Sequence, residues 1–218
     1  MREYFDKTLQ RYTDNLSQIA NLVEETVTKS MFAFNKKDML LAQEVLELEE
    51  VIHQKHLEIE REAFSITALQ QPVADDLRLI FAVLASSSYL ERITDHAVNI
   101  SSIVLKEDRE FESITELDQM INQMFTVVET MISGAVDAFI HSDKEAAIKF
   151  AQNDDQLDAL LEEIKEISMR YMSKDSTIVD TGIDYLYVAN CLERIGDYVT
   201  NICEQEIFLA SNEQVSLN

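Results

Sequence analysis

The sequence predicts an all-α protein built as two tandem antiparallel three-helix bundles related by internal duplication. Turn-forming residues are scarce, with three glycines and one proline among 218 residues. Hydrophobic residues make up 46% of the chain, and they recur at the three- and four-residue spacing that is typical of amphipathic helices. Short connections between six such helices favour antiparallel bundles. One continuous six-helix array satisfies the same packing and stays open.

The duplication is indicated by a phrase that occurs twice. Leu-Glu-Arg-Ile-x-Asp, followed by Asn-Ile, spans residues 90–100 and again residues 192–202. The offset is constant, since Glu91 and Glu193 give 193 − 91 = 102. Agreement at seven positions in one register indicates an internal repeat. We therefore expect one bundle in residues 1–108 and a second in residues 111–218.

The first half is predicted to contain three helices. Apolar residues at helical spacing run from Phe5 to Phe34 in the first of them. Asp38 is a predicted N-cap for the second helix. Pro72 ends that helix, because the residue before proline avoids the α region, and it suits the first turn of the third. The third helix is expected to run to about Lys106.

The second half repeats this order after a short charged linker at residues 107–110. Ser-x-x-Glu capping boxes at 113–116 and 142–145 predict the starts of the fourth and fifth helices. The fifth helix is expected to continue without a break to about Tyr171. A polar connection at 173–176 then leads to a sixth helix, which carries the second copy of the phrase.

Each copy of the phrase contains two carboxylates on one helix face. Glu91 and Asp95 lie four residues apart, as do Glu193 and Asp197, a spacing that stacks side chains one turn apart. These acids continue an apolar stripe, and burial of unpaired carboxylates is very costly. We therefore expect a cation or a cationic side chain to lie beside these carboxylates.

A second polar pair lies on the preceding helix of each half. Glu49 and His53 occupy the second helix, and Asp154 and Asp158 occupy matching positions of the fifth at an offset of 154 − 49 = 105. Because neighbouring helices of a bundle face each other, each pair can face a pair of the repeated phrase. Such oxygen-rich sets suit iron, manganese, magnesium, calcium or zinc. The predicted metal ligands are Glu49, His53, Glu91, Asp95, Asp154, Asp158, Glu193 and Asp197.

The alternative is that arginines neutralise these acids and the pairs only fix helix register. The candidates are Arg78, Arg92 and Arg194. Arg92 and Arg194 each follow a glutamate by one position and should point elsewhere on the helix, which favours a metal. No role is assigned to three further histidines, His56, His96 and His141.

An enzymatic site is a further alternative, of the metal-storage or di-metal carboxylate type found in helical bundles. Glu50 and His53 form one Glu-x-x-His step of that type. Such sites need two steps, and the duplicate has Asp155 and Asp158 instead. No serine or cysteine nucleophile has a histidine at helical spacing, so the sequence predicts no catalytic residues and no enzyme.

Composition and charge indicate a cytoplasmic protein. Forty-one acidic against 18 basic residues give a formal charge of −23, which disfavours nucleic acid and anionic membranes as partners. Cys191 and Cys203 lie twelve residues apart on one helix and cannot bridge, as expected in a reducing compartment. The N-terminus lacks the apolar core of a signal peptide, and the most apolar stretch, residues 79–90, is too short to span a membrane.

The repeated phrase, together with the proline-led segment 71–80 that opens the third helix, resembles the PhoU family of phosphate-transport regulators over nearly the whole chain. The resemblance implies a cytoplasmic protein, usually a homodimer, that restrains the phosphate-starvation response. It implies action through the ATPase of a phosphate ABC transporter and a sensor histidine kinase. It also implies metal clusters on Glu/Asp-x-x-x-Asp motifs, which here are Glu91/Asp95, Glu193/Asp197 and Asp154/Asp158.

Two positions depart from the family pattern. Thr94 stands where the family usually has the glycine that remains as Gly196, and His53 stands where an acid or amide is expected. We therefore expect the first-half site to bind a different ion, or to bind more weakly, than the second-half site.

Overall fold

The computed structural model describes residues 2–106, 113–211 and 215–217. In these ranges the chain forms long α-helices, one short 3₁₀ turn and no strand. The α-helices are α1 Arg2–Lys36, α2 Met39–Gln70, α3 Asp75–Val104, α4 Thr115–His141, α5 Lys144–Ala151, α6 Asp154–Lys174 and α7 Val179–Ser211. The 3₁₀ turn, Ser176–Ile178, leads into α7.

The predicted fold class is confirmed. Helices α1, α2 and α3 pack against one another as the first bundle, and α4 to α7 form the second, with α5 and α6 together in the place of one helix. The helices bury apolar stripes, and propensity alone would not hold elements of this length in register.

The two bundles share a seam between α3 and α7 that is as extensive as any seam within a bundle. The two helices run antiparallel. Near one end of the seam Lys106 Nζ donates to Asp184 Oδ1 at 2.9 Å, and further along it the rings of Tyr89 and Tyr198 stack with centroids 6.3 Å apart. Buried apolar side chains of both halves form one connected cluster, so the tandem bundles also share the continuous core of a helical array.

The seam has approximate two-fold symmetry. His96 and Tyr198 are equivalent positions of the repeat, since 198 − 96 = 102. Their rings contact each other across the seam, with centroids 5.9 Å apart. The repeated phrase therefore lies where the two bundles meet, and each copy turns its acidic face toward its own bundle.

Several helix boundaries follow the sequence prediction. The Asp38 carboxylate accepts from the amides of Leu40 and Leu41 at 3.0 and 3.1 Å, which confirms it as the cap of α2. Helix α2 ends at Gln70, where Gln71 takes a left-handed conformation with φ 49°. Pro72 is not in the first turn of α3, contrary to the prediction, because α3 begins at Asp75 after Ala74, whose φ is also positive. Helix α3 ends at Val104, two residues before the expected end.

Neither capping box forms. The Ser113 hydroxyl donates to the Asp118 side chain instead of capping α4, and Ile114 takes the N-cap position. Ser142 is the left-handed C-cap of α4, so the next residue, Asp143, caps α5 by accepting from the Ala146 amide at 2.9 Å. A carboxylate one position later competes successfully with the serine as N-cap.

The fifth predicted helix is broken at residues 152–153. The Asn153 amide donates to the Phe150 carbonyl at 3.1 Å, and the Gln156 amide donates to the Asn153 carbonyl at 3.0 Å. These three-residue turns interrupt the helix, and Asp154 then begins α6. An acid is favoured there because it faces the positive end of the helix dipole. The predicted charged linker at 107–110 lies outside the described residues.

Helix α4 is the one described helix that is long and apolar enough to cross a membrane by length and composition. Residues 79–90, the most apolar stretch named in the sequence analysis, lie within α3. Of the apolar window of α4, 44% is buried inside the protein, where α4 packs on α1, α5, α6 and α7. Its apolar surface serves the core.

Candidate functional site

The candidate site consists of two acidic clusters, one in each bundle. The first lies between α2 and α3 and contains Glu49, His53, Glu91 and Asp95. The second lies between α6 and α7 and contains Asp154, Asp158, Glu193 and Asp197. In both, the repeated phrase supplies two carboxylates from the seam helix, and the neighbouring helix supplies the other pair.

In the first cluster, α2 and α3 are joined by a short charge-assisted contact. His53 Nδ1 lies 2.6 Å from Glu91 Oε1, and this hydrogen bond raises the pKa of His53. Burial raises the pKa of Glu49, and the Asp95 carboxylate raises it further. The raised pKa of Glu49 therefore reflects burial first and the repulsion of nearby carboxylates second.

His56 belongs to this cluster although the sequence analysis gave it no role. Its Nε2 lies 3.5 Å from Glu91 Oε2, and its Nδ1 lies 3.0 Å from Ser87 Oγ. The Ser87 hydroxyl donates to the Leu84 carbonyl, so the His56 Nδ1–H donates to Ser87. Its spacing of three residues from His53 was the available signal. The repeat places Leu161 at the equivalent position of the second half, so comparison of the two halves gives no indication of this role.

The second cluster consists of carboxylates alone. Burial raises the pKa of Asp154 to about 6, with further contributions from Asp197, Asp158 and Glu193. Among the described residues, Asp154 Oδ1 is buried without a hydrogen-bond partner. Asp158 is exposed at the rim. Burial also raises the pKa of Glu193, and the neighbouring Asp197 raises it further.

Gly196 lets the first turn of α6 approach this cluster. A Cβ at Gly196 would overlap Leu157 Cδ1 and lie 3.0 Å from Asp154 Oδ1. The first half has Thr94 here, whose hydroxyl donates to its own helix at the Leu90 carbonyl, 3.1 Å away. The second bundle therefore holds its acidic helix pair closer at this point than a side chain would permit.

The arginines of the phrase do not point away from the acids, contrary to the prediction. Arg194 Nη1 lies 2.9 Å from Asp197 Oδ2, and Arg92 Nη1 lies 3.4 Å from Asp95 Oδ2. A spacing of three residues brings each pair together on the helix surface. Both arginine side chains are about 60% exposed, at 60% and 61%, so these pairs are worth little. Arg78 pairs with Asp75, outside both clusters.

Arginine neutralisation is therefore incomplete. Among the described residues, no ion pair reaches Glu49, Asp154 or Asp158, the three acids supplied by the neighbouring helices. Nor do any three His, Cys, Asp or Glu side chains in the described ranges converge on a common point as a preformed coordination sphere would. The donor chemistry and the unpartnered Asp154 oxygen fit a hard cation. In the structure itself, however, Glu91 pairs with histidine, and Asp95 and Asp197 pair with arginine.

The Glu-x-x-His step of the enzymatic alternative is not assembled. Glu50 is exposed and accepts from Gln54 Nε2 at 3.0 Å. Only His53 of that step contacts Glu91. The described residues thus offer half of one di-metal motif.

Comparison with known proteins agrees with this architecture. The PhoU domain model matches the chain twice, at residues 16–104 and 121–205. The chain belongs to the PhoU family. The PhoU homolog of Clostridium acetobutylicum is named as a phosphate-specific transport system accessory protein; it is 32% identical, covering all of this chain and 99% of the relative. The Streptococcus pneumoniae homolog carries the same name and is 32% identical over 100% of both chains.

Two crystal structures of PhoU proteins have the same fold. The structure of the phosphate transport system regulatory protein PhoU from Streptococcus pneumoniae superposes with a TM-score of 0.87 at 32% identity, covering 97% of this chain and 99% of that one. PhoU from Pseudomonas aeruginosa gives a TM-score of 0.90 at 30% identity, covering 96% and 100%. Since both chains are covered almost completely, the likeness includes both bundles and both phrase copies.

Proposed function

We propose that this PhoU protein is a cytoplasmic accessory protein of a phosphate-specific transport system and a negative regulator of the phosphate-starvation response. Its partners in this proposal are the ATPase of a phosphate ABC transporter and a sensor histidine kinase. The observation that supports the proposal is the full-length agreement in sequence and fold with proteins named as phosphate-specific transport system accessory proteins and as a phosphate transport system regulatory protein.

We further propose that the two acidic clusters bind metal ions such as iron, zinc or manganese. Asp154, Asp158, Glu193 and Asp197 would hold the metal in the second bundle. Burial first, and repulsion from the neighbouring carboxylates second, raise the pKa of Asp154 to about 6. A bound cation would neutralise these acids and would join α6 to α7.

In the first bundle, Glu49, His53, Glu91 and Asp95 would hold the ion. The imidazole donor adds a nitrogen ligand that the second cluster lacks, which favours a borderline transition metal over magnesium or calcium. We propose that the two bundles differ in metal preference for this reason. Equal occupancy of both clusters by one metal in an anomalous-scattering map would contradict this part.

Metal content of purified, tag-free protein tests the metal proposal directly. Mass spectrometry compares wild type with the double variant Glu193→Ala/Asp197→Ala, and with Glu163→Ala, an exposed acid of α6 outside the cluster, as control. Loss of metal from the folded double variant alone supports the proposal. Wild type that stays metal-free after reconstitution overturns it.

The regulatory proposal needs a cellular and a binding experiment. A strain lacking the gene should express a phosphate-starvation reporter in phosphate-rich medium, and the wild-type gene should silence it. Purified protein should bind the transporter ATPase and the cytoplasmic part of the sensor kinase, and should sediment as a homodimer. Turnover of phosphoesters or peroxides that disappears in Glu193→Ala would instead support a metal-dependent enzyme.

A further inference from the structure

A groove of about 690 Å³ lies where the N-terminal half of α3 meets the C-terminal half of α7. Helix α3 lies between α2 and α7, which it contacts on either side, and it lines the groove from Phe81 to Ser88. Helix α2 contributes His56 and Glu60, and α7 contributes Glu204 and Phe208. Val215, in the C-terminal segment, also lines the groove. The groove is open to solvent and follows α3 for about two turns.

The groove presents aromatic surface to solvent. Phe81, which lines the groove, is 51% exposed. Leu84, Ala85 and Phe208 continue the apolar lining. Single exposed apolar residues are ordinary, but aromatic side chains gathered along an open groove are typical of interaction sites.

The rim of the groove is acidic on both walls. Glu60 lies on the α2 wall and Glu204 on the α7 wall. Glu204 Oε1 accepts a hydrogen bond from the Leu217 amide of the C-terminal segment at 2.8 Å, and among the groove-lining residues no lysine or arginine balances either carboxylate. The chain as a whole carries a formal charge of −23. An acidic occupant, including a second copy of this chain, would be repelled, whereas a basic one would be attracted.

We propose that this groove is the docking site for a basic amphipathic helix of a partner protein. The apolar face of that helix packs against Phe81, Leu84 and Phe208, and its lysines or arginines pair with Glu60 and Glu204. Two parallel walls over a helical floor match the helix-in-groove mode of recognition, in which anchors recur every three to four residues. The proposal deepens the proposed function, on which the identity of the partner rests.

The groove also touches the first acidic cluster. His56 lines the groove and places its Nε2 3.5 Å from Glu91 Oε2. A helix seated in the groove therefore covers one face of the imidazole that contacts the cluster. The docking site and the candidate metal site share this residue.

The test uses a fluorescent peptide of leucine and lysine patterned as an amphipathic helix of about four turns, beside a scrambled peptide of the same composition. Anisotropy measures binding to wild type, to Glu60→Lys/Glu204→Lys and to Phe81→Ser. The matched control is Glu47→Lys/Glu163→Lys, which changes net charge equally at exposed acids outside the groove. Circular dichroism checks the fold of each variant.

We expect the patterned peptide to bind wild type and the control at least about tenfold more tightly than either groove variant, as for loss of a central anchor. The scrambled peptide should bind weakly to all four proteins. Equal weakening in the control variant would mean diffuse charge attraction and overturn the proposal. A wild-type dimer that the groove variants dissociate, without peptide binding, would assign the groove to a second copy and also overturn it.

The same variants separate this proposal from the proposed function. If the transporter ATPase and the kinase bind wild type but not the groove double variant, both proposals are supported. If they bind both proteins equally, the groove proposal fails and the proposed function stands. If neither binds while the patterned peptide still requires the groove, the proposed partners are wrong and the docking site remains.

Discussion

Replacing Glu206 by glutamine should stabilise the protein in a pH-dependent way. Glu206 lies on α7 with a side chain that is only 1% exposed, and among the described residues neither of its oxygens has a hydrogen-bond partner. Burial raises the pKa of this carboxyl from 4.5 to about 7, with a further contribution from Asp143. The equivalent position of the first half is Val104, an apolar residue.

The magnitude follows from the shift. A folded-state pKa above the unfolded value means that the protonated acid is favoured by folding, so stability falls as pH rises from 4.5 through about 7. At about 1.4 kcal/mol for each pKa unit, the full penalty is about 3 kcal/mol above neutral pH. Glutamine resembles the protonated acid in shape and charge and therefore escapes this penalty.

Urea unfolding of wild type and Glu206→Gln across about pH 5 to 8 measures the effect. The variant should be more stable by about 3 kcal/mol at the upper end and by about 1 kcal/mol at the lower end. Glu47→Gln, an exposed acid of α2, is the control and should change stability by no more than about 0.5 kcal/mol at any pH. A difference between wild type and Glu206→Gln that does not vary with pH would refute the reasoning.

Three further predictions concern packing and charge. Gly196→Ala should lower the free energy of unfolding by about 1–3 kcal/mol despite the better helix propensity of alanine, because its Cβ would overlap Leu157; a stabilised variant in urea unfolding would contradict this. Asp154→Asn should stabilise metal-free protein by about 1–2 kcal/mol above pH 6, because the buried carboxyl, whose pKa is raised, is charged there. The same variant should take up less metal. Unchanged stability and unchanged metal content would contradict both expectations. Tyr12→Phe should cost about 1 kcal/mol, because the buried hydroxyl donates to the Ile80 carbonyl at 3.1 Å; thermal unfolding should show the loss, and an unchanged midpoint would mean that the bond contributes nothing.

The all-helical class and the duplication could be predicted because each follows from a pattern that is visible in the sequence itself. Apolar spacing, the Asp38 cap and the 102-residue offset each depend on neighbouring residues or on direct self-comparison. The break at 152–153 was missed because the apolar spacing continues through it from Ala147 to Leu157. Only the tertiary course of α5 and α6 over α7 separates them.

The candidate site shows the same division. The facing of the α2 and α3 pairs follows from bundle geometry, and His53 contacts Glu91 accordingly. The contacts of Arg92 and Arg194 with the acids were not predicted from the sequence. An arginine side chain is long and flexible, so it reaches an aspartate three residues further along the helix even when it starts one position after a glutamate. The sequence did not indicate that Glu206 is buried without a partner, because the burial of a single side chain depends on the residues that surround it in the fold.

The contact of His96 with Tyr198 has a consequence for how the chain holds together. At this contact the two halves use equivalent surfaces, as the two subunits of an isologous dimer do. The contacts across the seam should therefore hold the two halves together even without the covalent linker. Cleavage between Lys106 and Ser113 should leave the halves bound to each other, and either half alone would expose the apolar side of its seam helix. Cooperative unfolding of both bundles in one transition is the expected result of this mutual dependence.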